Sequence, residues 1–163
     1  MTYLPDLCPY GGGADASHLA VGWIDKEHPF TTGAPPEDAW IRKLLHVAAH
    51  RKFRPFPQFH FSPFLPAHVL PVVLWKKRNS YPMTENAASL VLGEIAVRHL
   101  NQTLHAPALI VHYILNQNYL PPPEFILGVN AAVSDEDLAD FEARLSFYDA
   151  PARKPADSAS WDS

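Results

Sequence analysis

The chain carries a single cysteine, Cys8, in 163 residues. One thiol excludes an internal disulfide and a four-cysteine zinc site. It is read most simply as residence in the cytoplasm. Positive charge is not in surplus. Lys and Arg total 13 against 17 Asp and Glu, a net charge of −4 with neutral histidine. Nothing global could neutralise a phosphate backbone, so no nucleic-acid partner is expected. Long apolar runs are missing too. No window approaches the roughly 18 uninterrupted apolar residues of a membrane span. The stretch Met1 to Tyr10 has no basic segment before an apolar one, so it is not read as a signal peptide. Charged residues are only 18%, and no internal repeat occurs.

Proline and aromatic residues are what the chain has instead. There are 17 prolines, roughly twice the average share. They exclude a coiled coil, because proline breaks helices and removes backbone donors. Aromatic residues at 12% exclude a wholly disordered chain. The length favours one domain with a real core.

Residues 1–35 read as irregular, with a short strand between His18 and Asp25. Gly11-Gly12-Gly13 lacks a following GKS or GKT and reads as a plain loop. Residues 36–50 read as a helix. Pro36 suits its first position, and Glu37 and Asp38 favour its positive end. Trp40, Ile41, Leu44, Leu45 and Ala48 form its apolar stripe.

Between 53 and 83 the phenylalanines Phe53, Phe56, Phe59, Phe61 and Phe64 interleave with prolines. Short strands are expected around Phe59–Phe61 and Val69–Trp75, and another over Ser89–Val97, paired with the last. Lys76-Lys77-Arg78 and Arg51, Lys52 and Arg54 read as solvated charge. Residues 106–133 return to helix, with Pro107 as opener and a stripe of Leu109, Ile110, Tyr113 and Ile114. Asn116–Asn118 ends it, and Pro121-Pro122-Pro123 leads into a second short helix. Ser134 is a good N-cap for a last helix with Leu138, Phe141 and Leu145 on its apolar face. The expectation is one α+β domain over 1–148, a small antiparallel sheet in the middle of the chain covered by flanking helices, and a disordered tail over 149–163.

Three blocks look familiar in combination: Leu4-Pro5-Asp6-Leu7-Cys8-Pro9-Tyr10, then Val21-Gly22-Trp23-Ile24-Asp25 through His28-Pro29-Phe30 to Gly33, then Ala106 to Ile114 with Tyr119 and Pro122-Pro123-Glu124-Phe125-Ile126. The chain resembles a family of short bacterial proteins of unknown function with these blocks, over roughly residues 3–33 and 89–128. The resemblance implies no particular activity. It does imply a histidine-x-cysteine-x-x-cysteine segment in many members. Here that stretch is His60 to Leu65, with Ser62 and Leu65 at the cysteine positions. The zinc half-site is degenerate, and packed phenylalanines would replace its role.

Candidate chemistry is thin. His46 and His50 share the i, i+4 spacing without the glutamate of a metalloprotease helix. His60 and His68 could meet Cys8 only through the fold. His112 lies in an apolar helix and reads as a buried, hydrogen-bonded core residue. His28, before Pro29, reads as a turn residue bonding the backbone. Cys8 has no helix N-terminus to lower its pKa. No G-x-S-x-G elbow occurs. Asp25 and Glu27 could act as acid and base, as could many surface carboxylates.

Subtraction therefore favours a protein-binding module over an enzyme: a small immunity-type protein neutralising a toxin, without cofactor or metal. Candidate partner-binding residues are Trp23, Asp25, Glu27, His28, Phe30, Trp75, Tyr81 and Tyr119. The alternative is a metal-binding or hydrolytic enzyme using histidine and carboxylate groups.

Overall fold

The computed structural model describes residues 3–12, 16–50, 52–53, 62–64 and 93–148. Among these, the elements in chain order are a 3-10 turn (Tyr10–Gly12), β1 (His18–Ala20), α1 (Asp38–His50), β2 (Lys52–Phe53), β3 (Glu94–His99), β4 (Gln102–Pro107), α2 (Ile110–Asn116), α3 (Pro123–Ala132) and α4 (Asp135–Tyr148). The class is α+β. The sheet runs β1-β4-β3-β2.

The sheet is mixed, which corrects the expectation of an antiparallel one. β3 pairs antiparallel with β4 and with β2, but β1 joins β4 in parallel, with Leu19 opposite Leu104. Parallel strands need a long crossover. Here everything from α1 to β3 lies between the partners, so the pairing leaves no local mark. The N-terminal segment then covers the free side of β1. Leu4 and Leu7 N–H groups donate to the carbonyls of Trp23 and Ala20, and Ala20 N–H donates to Cys8.

Two prolines sit elsewhere than expected. Pro36 lies before α1, because the Glu37 carbonyl takes the first helical bonds, from Trp40 and Ile41. Pro107 closes β4 instead of opening a helix. A strand end tolerates its missing N–H. The expected strand over Ser89–Val97 begins at Glu94 among the described residues, and its partners there are β4 and β2. The strands expected at Phe59–Phe61 and Val69–Trp75 lie outside the described residues, as does 149–163.

The α1 stripe is as expected, with Trp40, Ile41, Leu44 and Ala48 buried, Val47 added and Leu45 half-buried. Each large side chain so buried contributes about 1.5–3 kcal/mol. Trp40 also donates its indole N–H to the Ile126 carbonyl at 3.0 Å, tying α1 to α3. α3 approaches β3 closely: a Cβ on Gly128 would stand 3.1 Å from the Arg98 carbonyl oxygen. Pro123 supplies the first turn of α3. Ser134 caps α4, its Oγ accepting from Asp137 N–H at 3.0 Å.

Strand alternation gives the sheet two unlike faces. Leu19, Ile95, Val97, Leu104 and Ala106 share one register face and are buried in the core cluster with the helices. His18, Glu94 and His105 share the other.

Candidate functional site

Two groups of polar side chains gather at the N-terminal segment. The first is built around Asp6. Its carboxylate accepts Gly22 N–H at 2.9 Å and the Tyr119 hydroxyl at 2.9 and 3.0 Å. Gly22 makes this possible. Its φ is +75°, and a Cβ there would stand 2.8 Å from Ile110 Cδ1, so only glycine fits. Burial raises the Asp6 pKa, and the Gly22 and Tyr119 bonds only partly offset it. Tyr119, buried beside that carboxylate, has its pKa pushed well above the ordinary phenol value, so it keeps its proton and donates. Asp6 also lines an open cavity of about 330 Å³ with Tyr3, Leu4, Ile24, Pro29, Phe30 and Thr31.

The loop beyond this cavity is organised by Asp25. Its Oδ1 accepts from Glu27 N–H at 3.0 Å and His28 N–H at 2.9 Å, and the His28 ring lies 2.9 Å away. Against a desolvation that raises it, these bonds from His28 and Glu27 hold the Asp25 carboxyl below its ordinary range. The ring of His28 thus meets a carboxylate and not the backbone, contrary to expectation. Tyr3 stacks flat on that ring, centroids 3.9 Å apart.

The second group lies on the polar face of the sheet. Tyr10 donates its hydroxyl proton to Glu94 and stacks on His105 at 4.4 Å. His105 Nε2 lies 2.8 Å from His18 Nδ1, so one of the two carries the shared proton. Trp23 donates its indole N–H to the His105 carbonyl at 3.1 Å. Glu94 and His105 are buried, whereas His18 is exposed. The arrangement links a buried carboxylate through a phenol and an imidazole stack to a solvent-facing imidazole.

The expected partner-binding residues divide. Glu27 and His28 are exposed, and Asp25 and Phe30 half-buried, all on one loop. Trp23, only 5% exposed, and Tyr119, fully buried, belong to the core, so neither offers its ring to a partner. Each spends its polar atom internally, on His105 and Asp6. Trp75 and Tyr81 lie outside the described residues, as do His60 and His68. His112 is a buried core residue as expected, its Nδ1 accepting from Asn116 at 2.8 Å. Burial pushes the Cys8 thiol pKa up, with the Asp6 charge adding to it. Among the described residues no group of three or more His, Cys, Asp or Glu could hold a metal ion, and no helix is long and apolar enough to cross a membrane.

Sequence reading singled out neither Glu94, His105 nor His18. The available signal was a histidine and a glutamate at alternate strand positions facing away from the apolar ones. Asp6 and Tyr10 lie in the opening block Leu4–Tyr10, where no local pattern marks them as polar contacts.

Fold and geometry define a small α+β domain whose N-terminal segment closes one sheet edge and walls a carboxylate-bearing cavity. The chain belongs to the family DUF7919, a domain of unknown function, whose model matches residues 2–130. That span contains every residue of both polar groups. No curated protein and no solved structure matches the chain.

Proposed function

We propose that this chain is a protein-binding module of the immunity type, a bacterial protein that neutralises a basic toxin by covering it. The observation that carries the reading is the loop over Asp25–Phe30. It sets two carboxylates and a partly exposed phenylalanine beside an open cavity. An aromatic anchor ringed by charge is the composition of an interface hot spot. The net charge of −4 favours a basic partner and speeds encounter with it. Asp25, Glu27, His28 and Phe30 are the contacts. Behind the loop the buried Tyr119 packs edge-on against Phe30, ring centroids 6.1 Å apart.

The test is co-expression with each neighbouring gene product, together with affinity capture from the native host. The expected outcome is relief of one product's toxicity and capture of that product. Glu27→Lys should slow its association about tenfold at low salt. Unchanged toxicity with every neighbour and an empty capture overturn the reading.

A second reading, a hydrolase using histidine and carboxylate, is favoured by the Tyr10–Glu94 bond and the His105–His18 pair. General acid–base chemistry needs such groups within reach of each other. The cavity, however, is lined at Asp6 and not at Glu94. The readings part on Glu94→Gln. It spares toxin neutralisation if the chain is a binder and abolishes turnover if it is an enzyme.

A further inference from the structure

We infer that the cavity beside Asp6 is a receptor for one arginine side chain, presented by the partner. This rests on the protein-binding reading and adds the chemistry of the anchor. At about 330 Å³ the cavity stands at the small end of ligand pockets, sized for a side chain and not for a nucleotide cofactor. Leu4, Ile24, Pro29 and Phe30 give it apolar walls, and Tyr3 and Phe30 supply aromatic rings. Among the described residues Asp6 is the one charged residue in the lining.

The charge is incompletely compensated. A carboxylate offers about four acceptor positions. Among the described residues Asp6 receives two donors, Gly22 N–H and the Tyr119 hydroxyl, and both are neutral. Among the described residues no Lys, Arg or His lies within ion-pair distance of it. A half-buried anion flanked by aromatic rings has one complementary ligand chemistry, an organic cation. Guanidinium fits best. It is planar, stacks on aromatic faces and forks onto a carboxylate, and it is less strongly hydrated than an ammonium. Burial raises the Asp6 pKa, and the bonds that lower it come from two neutral donors, Gly22 and Tyr119. Asp25 and Glu27 on the adjoining loop add negative potential that draws a basic segment toward the opening.

The experiment is an amide-resolved NMR titration of the full chain with N-acetyl-arginine methylamide, and in parallel with its citrulline analogue, which has the same shape without the charge. The expected result is saturable shifts at Tyr3, Leu4, Ile24, Phe30 and Thr31, with citrulline at least about tenfold weaker. Asp6→Asn should abolish the difference between the two probes. Because that change also weakens the ties to Gly22 and Tyr119, Tyr3→Leu is the second variant. It should weaken arginine binding several-fold with Asp6 in place. Equal binding of both probes, or saturable shifts elsewhere, overturns the inference. So does an arginine affinity unmoved by Tyr3→Leu. None of these results touches the protein-binding reading, because the probe is not the partner. Conversely, a filled cavity with an empty affinity capture leaves a cation site and removes the immunity reading.

Discussion

The two faces of the sheet are held by different means. On one, Leu19, Ile95, Val97, Leu104 and Ala106 bury apolar area against the helices. That attraction is non-directional and adds up over many small contacts. On the other, Tyr10, His105, Glu94 and His18 are joined by a few directional contacts. Each such contact contributes little net stability when made and costs much when its partner is removed. The first face tolerates a change of shape poorly, and the second tolerates a change of partner poorly.

The largest effect should come from cutting area. Leu104 is fully buried at the centre of β4, opposite Val97 and Leu19. Leu104→Ala removes its side chain and leaves a cavity that the sheet can only partly close. Denaturant unfolding should show a loss of about 3 kcal/mol, within the range for buried leucines. A loss below about 1 kcal/mol would mean that this face is not the principal support of the fold.

How much of this was readable in advance follows the same division. The α1 stripe, the Ser134 cap and the end of α2 after Asn116 are local patterns, set by residues within one or two turns. They were legible for that reason. β4 was not. Thr103 to Ala106 do alternate polar and apolar, but the run is only four residues long and ends at Pro107, which reads locally as a helix opener. Its partner β1 lies more than eighty positions earlier. Trp23 and Tyr119, expected at a partner surface, are buried for a related reason. Aromatic residues with a polar atom suit both a surface and a core. Only the fold brings Trp23 to the His105 carbonyl and Tyr119 to Asp6.

A polar group within the helical layer sharpens the contrast. His112 on α2 is fully buried, and among the described residues its Nε2 has no hydrogen-bond partner. Burial lowers its pKa from 6.5 to about 4. The unfolded chain therefore takes up a proton near pH 6.5, which the folded chain refuses until about pH 4. Acid favours the unfolded state across that window. The stability contributed by neutral His112 is complete above pH 6.5 and drains away toward pH 4, to a limit of about 3 kcal/mol. In His112→Leu this part of the pH dependence of unfolding should vanish. An unchanged slope between pH 6.5 and 4 would place the acid sensitivity on other groups.

The smallest expected effect is the one most specific to the polar face. Tyr10→Phe keeps the ring that stacks on His105 and removes only the hydroxyl that donates to Glu94. Deleting one donor to a buried carboxylate should cost about 1–2 kcal/mol. The single variant does not separate that bond from general disturbance, because Glu94 and Tyr10 each have further contacts. A double-mutant cycle with Glu94→Gln does. If the bond is what pins the N-terminal segment to the sheet, the two changes together should cost less than their sum, with a coupling of about 1 kcal/mol. Coupling near zero would mean that the stacked rings alone hold Tyr10 in place. The polar face would then be held by contact area, as the apolar one is.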